Sequence, residues 1–352
     1  MLSGHLLLPS AFTSIEWHVH EFIYGYVPAV VAGFLLTAVP NWTGHLPVVG
    51  TPLLLLCLTW AAVRIADLAS LWIGSGIAAA IDLAFLAALG FVVAREIIAG
   101  NNAHNLNVLA VVALLLIGNA LFHLEAIARV GNGYGTRLGI AAIVLLIMLI
   151  GGRIISSFTR NWLVRRDAGR LPESFNRFDV AVVALSGVAL TTWVMLREEM
   201  LTALIALAAC GLNCARLYRW AGERAAAEPL VLILHVAYAF VPIGFLLLAL
   251  AILTPWLIAP TGALHGWTAG AIGLMTLAVM TRASLGRTGR PLTATRPIQF
   301  TYVAAFVAAL ARIMAAFDVL REPMLHISAT TWVLAFGRIR RRHGPVLTRR
   351  RA

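Results

Sequence analysis

The chain of 352 residues contains little charge and no lysine. Only 12% of its residues are Asp, Glu, Lys or Arg, about half the share found in soluble globular proteins. That shortage excludes a soluble multidomain enzyme, and the apolar excess excludes a disordered chain. The three cysteines, Cys57, Cys210 and Cys214, lie in apolar runs and do not form a disulfide framework.

Long apolar segments fill most of the sequence. Apolar residues make up 61% of the chain, and the mean hydropathy is +0.88. Runs of this length predict an all-α, polytopic membrane bundle of about eleven transmembrane helices. We treat residues 1–352 as a single transmembrane domain with a basic tail at 339–352. The predicted spans are 19–39, 46–66, 76–98, 104–124, 138–157, 178–196, 199–219, 229–253, 263–284, 297–317 and 322–338.

The distribution of arginine predicts how the chain crosses the membrane. The net charge is +12, and 21 arginines fall on one set of alternating connections against five on the other. Under the positive-inside rule, this places the N-terminus outside and the C-terminus in the cytoplasm. We therefore expect a multi-pass membrane protein whose positive charge orients it in the lipid bilayer. The charge does not indicate a nucleic-acid partner.

Histidines are the unusual feature of this apolar background. Seven of ten lie in a predicted span or at its edge: His18, His20, His104, His123, His235, His265 and His326. Ionisable residues at membrane depth are costly and mark function by default. Imidazole suits haem iron and copper. A proton path of histidines and acids is the main alternative.

Two short patterns suggest where the histidines act. In the segment WHVHE, His18 and His20 share a face only if the chain is extended; in a helix they serve different sites. Asn119 and His123 are four residues apart and share a helix face, where Glu125 is placed to orient His123.

Several charged residues have two open interpretations. Asp82 and Arg312 have similar predicted depths, so they either neutralise each other or Arg312 holds a haem propionate. The run RASLGRTGR at 282–290 either binds anionic lipid or holds propionates. His235 and Tyr238 share a face of their predicted helix.

Three blocks of the sequence closely resemble the NnrS family of haem–copper membrane proteins. They are WHVHEFIYGYVPAVVAGFLLTAVPNWTG (17–44), MLIGGRIISSFTRNWL (148–163) and LHGWTAGAIGLMTLAVMTRASLGRTGRPL (264–292). The blocks occur in family order, and the resemblance covers nearly the whole chain. It implies haem b and copper as cofactors and a role in nitric-oxide and nitrosative-stress responses.

The resemblance also implies site residues. His18, His20 and His265 match the family histidines, and His104, His123 and His235 lie where members tend to have polar residues. The residues expected to contact a cofactor are Arg312, Arg153, Arg282, Glu21 and Asn119. Arg287 replaces the histidine of the usual G-H-T-G-R pattern. Sixteen residues precede the first block, so we expect a shorter member without the family's first helix.

Three functions follow as hypotheses. The first is a metalloprotein that acts on nitric oxide as an oxidoreductase, with electrons from an external quinol or periplasmic carrier. The second is a transporter or a metal- or haem-handling protein that uses the intramembrane histidines. The third is a nitric-oxide-binding module without turnover.

Overall fold

The computed structural model describes residues 8–348 except 45, 103, 104 and 167; the side chains of 261 and 340–348 are also left undescribed. Within this part the chain is helical and contains no strand. Its long helices are α1 Ser14–Thr43, α2 Thr51–Leu68, α3 Ser75–Ala99, α4 Leu106–Ala128, α5 Tyr134–Leu163, α6 Arg177–Leu196, α7 Met200–Arg219, α8 Pro229–Leu253, α9 Gly266–Arg287, α10 Arg296–Ala316 and α11 Arg321–Thr348.

The helices α1 to α10 are long and apolar enough to cross a membrane. Large apolar side chains also lie on the outside, as on α2, where Leu54, Leu55 and Leu58 are more than half exposed. A surface of this kind is suited to lipid rather than water. The all-helical, multi-pass prediction is confirmed.

Ten of the eleven predicted spans coincide with α1 to α10. The last, 322–338, lies in α11, which is helical but is not among the candidate spans. Its uncharged part runs from residue 323 to 337 and, at about 1.5 Å per residue, falls short of a hydrocarbon core of about 30 Å. Whether the two termini lie on opposite sides of the membrane depends on whether α11 crosses it, so the orientation of the termini remains a prediction.

The chain divides into two compact units, with the boundary between Ile143 and Val144 inside α5. In the first unit, α3 is central and packs against α1, α2 and α4. The segment before α1 is fixed to the turn after α2, where Ala11 N donates a hydrogen bond to Ser70 Oγ at 2.8 Å. This places the N-terminal segment beside the ends of α2 and α4.

In the second unit, α8 is central. It packs against α7, α9 and the last part of α5, while α10 packs against α9 and α11. Most residues of α8 are buried, which explains why its apolar residues cover all sides rather than one stripe. The N-terminus of α6 carries a capping box, in which Asn176 accepts from Phe178 N and Asp179 accepts from Asn176 N.

Among the described residues, three helices contain a π-helical turn. The turns are Glu21–Tyr26 in α1, Ile147–Gly151 in α5 and Gly266–Ile272 in α9. The first and third fall within sequence blocks identified above, and the second begins one residue before its block. Because a π-turn inserts one residue and redirects the side chains that follow, such turns are frequent at functional sites.

Candidate metal centre

Asp82 is the hub of a buried polar cluster in the first unit. Its Oδ2 accepts hydrogen bonds from His20 Nε2 at 3.2 Å, from His123 Nε2 at 2.9 Å and from Asn119 Nδ2 at 2.6 Å. His20 Nε2 also lies 3.1 Å from Asn119 Oδ1. Helices α1, α3 and α4 therefore bring two imidazoles to one carboxylate oxygen.

The helical geometry of α1 and α4 selects these side chains. Asn119 and His123, four residues apart, share the buried face of α4, as their spacing predicts. The WHVHE segment is helical, so His20 is fully buried while His18, two residues earlier, is exposed on another face. The structure therefore agrees with the helical interpretation of WHVHE, in which His18 and His20 do not share a site.

Arg64 on α2 joins three acids at the edge of this cluster. Its Nη1 donates to Glu21 Oε1 at 2.7 Å, and its Nη2 donates to Asp82 Oδ1 at 2.8 Å and lies 3.2 Å from Asp67 Oδ2. Asp82 therefore has its ion-pair partner on the neighbouring helix, rather than the predicted partner Arg312, which belongs to the second unit.

Charge in this cluster is not balanced. Three carboxylates face one guanidinium, so with both histidines neutral the cluster has a formal charge of −2. His20 and Asp67 are 0% exposed and Asp82 is 1% exposed. Uncompensated charge in a low-dielectric interior is strongly unfavourable, so the cluster requires additional cations or protons.

The donors of the cluster match a small transition-metal ion. One ligand atom each from His20, Asp82 and His123 lies within 4.8 Å of the others. Donors around a tetrahedral ion are about 3.4 Å apart for bonds of about 2.1 Å, so only small shifts are needed. Two imidazoles and a carboxylate suit copper or zinc, whereas calcium and magnesium prefer oxygen donors.

Aromatic rings and a small cavity surround the centre. The ring centroid of Phe12 lies 5.0 Å from that of His20 and 5.4 Å from that of His123, and Phe122 lies 5.1 Å from His20. A cavity of about 140 Å³, lined by His123, Phe12 and Ser70 among others, opens beside His123. Pockets for drug-sized molecules measure about 300–1,000 Å³, so this cavity admits a diatomic ligand but does not fit a haem.

A second buried polar cluster lies in the second unit around Arg216, which is 0% exposed. Its Nε donates to Asp179 Oδ1 at 2.8 Å, and its Nη1 donates to Met148 O at 3.1 Å and to Tyr238 Oη at 2.9 Å. Tyr238 in turn donates to Asn213 Oδ1 at 2.8 Å. This cluster pairs one cation with one anion and is neutral.

His235 belongs to the neighbourhood of this second cluster. Its Nε2 lies 2.8 Å from Thr159 Oγ1, and its ring packs against Trp220, which also contacts Tyr238. Its Nδ1 faces Gly222 so closely that a Cβ on this residue would overlap the ring. With one nitrogen bonded and the other against backbone, this arrangement of His235 does not fit an axial haem ligand.

The remaining predicted site residues that the structure describes lie in the second unit. Arg153 and Arg312 are half-buried, and Arg282 lies 3.8 Å above the ring of Phe158. His265 Nδ1 lies 3.4 Å from Thr268 Oγ1 in its own helix. The prediction for His104 lies outside the described residues.

Some residues of the centre are not found from the sequence patterns. Arg64 and Asp67 form an R-x-x-D pair at the end of α2. The sequence signal that could have identified them is the presence of ionisable residues at the end of an apolar run. Phe12 gives no signal because it precedes the first helix. Glu125 does not orient His123; it accepts hydrogen bonds from Tyr134 N and Gly135 N instead and holds the start of α5.

Comparison with known proteins gives one match. The model of the NnrS protein family matches residues 1–351. The chain belongs to the NnrS family. NnrS proteins are linked to the nitric oxide response, and the resemblance found in the three sequence blocks is confirmed. The search of curated proteins and the search of solved structures gave no match.

Proposed function

We propose that this NnrS protein binds one copper ion at His20, Asp82 and His123 and presents it to nitric oxide within the membrane. The observation that carries the proposal is the buried cluster itself, in which two imidazoles and a carboxylate converge in a region of formal charge −2. One divalent cation neutralises that charge. Membership of a family linked to the nitric oxide response supports the choice of ligand.

The chain's own residues would hold and shape such a site. Asp82 would supply the anionic donor, and Asn119 holds it by donating to Oδ2. Arg64 bonds the other oxygen of Asp82 and so fixes the plane of the carboxylate. Phe12 and Phe122 cover the imidazoles and keep bulk water away from them. Copper, when bound, would supply a coordination position for a small diatomic ligand.

Access for a small ligand is provided by the cavity beside His123. It is about 140 Å³ in volume and is lined in part by Ser70 and Ser75. Nitric oxide is neutral and dissolves in lipid, so it can reach the first unit from the bilayer as well. Reduction of nitric oxide would require electrons from a quinol or a periplasmic carrier, as the sequence hypothesis states, whereas its oxidation would require an electron acceptor.

Haem is not part of this proposal. Neither the cavity beside His123 nor the packed ring of His235 fits it, and haem b remains a prediction from the family resemblance. The family resemblance is also the basis on which we place the protein in the lipid bilayer of the bacterial inner membrane.

Copper binding by purified variants tests the proposal. We expect His20→Ala and His123→Ala to lower Cu²⁺ affinity by more than about 100-fold, because even outer-shell changes cost about 10- to 100-fold. His326→Ala is the matched control, since His326 is an exposed histidine of α11. Isothermal titration of the detergent-solubilised chain with buffered Cu²⁺ gives the stoichiometry and the dissociation constant.

Two results would overturn the proposal. Equal copper binding by the wild type and by both site variants would assign His20 and His123 to packing alone. If the optical and electron paramagnetic resonance spectra of the copper-loaded wild type do not change with nitric oxide, nitric oxide is not a ligand of the bound copper. Steady-state consumption of nitric oxide with a reductant then separates an enzyme from a binding module.

A further inference from the structure

The other side of the His20 ring faces a second set of donors. His20 Nδ1 lies 3.8 Å from Asp67 Oδ2, and both residues are 0% exposed. Within the described part of the chain, neither Nδ1 nor either carboxylate oxygen of Asp67 has a hydrogen-bond partner. Buried polar atoms without partners are rare, and each requires a specific explanation.

The hydrogen bonds of the opposite ring nitrogen define the state of Nδ1. His20 Nε2 lies against Asp82 Oδ2 and Asn119 Oδ1, which can both only accept, so Nε2 carries the proton. In neutral His20, Nδ1 is then an unprotonated acceptor that points toward a carboxylate. Two acceptors that face each other in a dry interior need a proton or a metal cation between them.

Glu21 completes this second set. Single ligand atoms of His20, Glu21 and Asp67 lie within 4.8 Å of one another. The side chains of Glu21 and Arg64 are 22% and 15% exposed, whereas the donors of the first set are 4% exposed at most. Glu21 is therefore the donor through which the second set reaches the surface of the unit.

Arg64 is the cation that now pairs with the acids of the second set. It bonds Glu21 at 2.7 Å and approaches Asp67 to 3.2 Å, but it does not bond His20. Its Nε has no hydrogen-bond partner among the described residues, so the side chain is only partly held. Its bond to Asp82 at 2.8 Å is made by Nη2, so it would remain if Nη1 released Glu21.

We propose that His20 Nδ1, Asp67 and Glu21 form an entry position for the metal ion, from which the ion passes to the position of His20 Nε2, Asp82 and His123. This inference rests on the proposed function. The net charge of −2 accommodates one divalent ion, so the two positions are occupied in turn and not together. The class of ligand is a divalent transition-metal ion that accepts both imidazole and carboxylate donors.

The transfer step balances in protons. With the ion at the entry position, Nδ1 binds the ion and Nε2 donates to Asp82, as its hydrogen bonds do here. Moving the ion across the ring requires that His20 Nε2 release a proton and that its Nδ1 take one up. His123 must make the same change of tautomer, because its Nε2 also donates to Asp82 here. Asp67 would then accept the hydrogen bond of Nδ1–H, which is the usual carboxylate support of a metal-bound histidine.

Loading kinetics provide the first test. Stopped-flow quenching of tryptophan fluorescence by Cu²⁺ reports the loading rate in the full chain. We expect Asp67→Asn and Glu21→Gln to slow loading by about tenfold or more, the scale of a lost supporting ligand, while one ion is still bound at equilibrium. Glu96→Gln is the matched control, because this substitution also removes one negative charge. Glu96 pairs with Arg95 near the other end of α3, away from the cluster. Wild-type loading rates in both variants would overturn the entry position.

Counting nitrogen donors provides the second test. The entry position offers one imidazole and the final position offers two. We expect His123→Ala to retain weakly bound Cu²⁺ whose electron paramagnetic resonance shows a single nitrogen donor, and His123→Ala/Asp67→Asn to lose it. If His123→Ala binds no ion, or if the double variant binds as the single variant does, the entry position is wrong while the proposed function stands. If the wild type binds no ion, the proposed function itself fails.

Discussion

The two buried polar clusters of this protein use similar residues with opposite charge balance. In the first unit, Arg64 faces Glu21, Asp67 and Asp82, and several buried atoms have no partner. In the second unit, Arg216 faces Asp179 alone, and Tyr238 and Asn213 extend the network through hydrogen bonds, although Arg216 Nη2 has no partner among the described residues. The first cluster is short of positive charge, and the second is neutral.

This difference separates a binding role from a structural role. A neutral, hydrogen-bonded network needs no further ligand and fixes the packing of the helices that supply it. An unbalanced network is unstable in a dry interior unless something else binds there. We therefore expect changes in the second cluster to alter stability with little effect on metal binding, and changes in the first cluster to do the reverse.

The largest expected effect on stability is that of Arg216→Met. Removal of the guanidinium leaves the buried carboxylate of Asp179 without its counter-charge, which typically costs about 3–5 kcal/mol. Thermal or denaturant unfolding of the detergent-solubilised chain measures the loss. Copper affinity of the folded fraction should equal that of the wild type.

A second substitution shows whether charge is the cause. In Arg216→Met/Asp179→Asn the unpaired charge is gone, while the side chain at 179 can still accept from Asn176 N. Part of the lost free energy of unfolding should return. If the double variant is as unstable as Arg216→Met, the loss comes from packing around Tyr238 and Trp220 instead. A fall in copper affinity would contradict the division of roles between the clusters.

The next effect in size concerns the paired glycines of the second sequence block. A Cβ on Gly152 would overlap Nη2 of Arg216, which cannot move freely because its other nitrogens are bonded. Overpacking of this kind costs about 1–3 kcal/mol, so Gly152→Ala should destabilise the protein by that amount. At Gly151 the nearest side-chain atoms would lie 3.7–3.8 Å away, so Gly151→Ala is the matched control. Equal melting temperatures for the two variants would refute this interpretation of the block.

The fold could be predicted from the sequence because membrane spans are defined by composition. Ten predicted spans lie on helices of the structure because lipid requires long, uncharged, internally hydrogen-bonded segments. The π-turns at 21–26, 147–151 and 266–272 could not be predicted, because they depend on tertiary packing rather than on local propensity.

The site could be predicted only in part. His20, Asn119 and His123 were identified because polar residues are rare in apolar runs, and helical spacing placed the last two on one face. Arg64, the partner of Asp82, could not be identified, because the predicted depth of a residue in the membrane does not show which helices are neighbours. Arg216 is one of the 21 arginines that indicate topology, and its burial, which makes it the centre of the second cluster, does not follow from the sequence.

The smallest expected effect on stability, and the most direct probe of the first cluster, is that of Gly25→Ala. A Cβ at this position would meet Nη1 of Arg64 and the carboxylate of Glu21, and it should push the guanidinium away from Glu21. Loss of a partly exposed ion pair costs about 0–1 kcal/mol, and replacement of a helical glycine regains a similar amount. We therefore expect an unchanged melting temperature together with several-fold faster Cu²⁺ loading, because the entry position is vacated. Gly33→Ala, with nothing within 4 Å of its Cβ on the same helix, controls for helix propensity. If both variants load copper at the wild-type rate, Arg64 does not guard the entry position, and the imbalance of the first cluster is relieved in some other way.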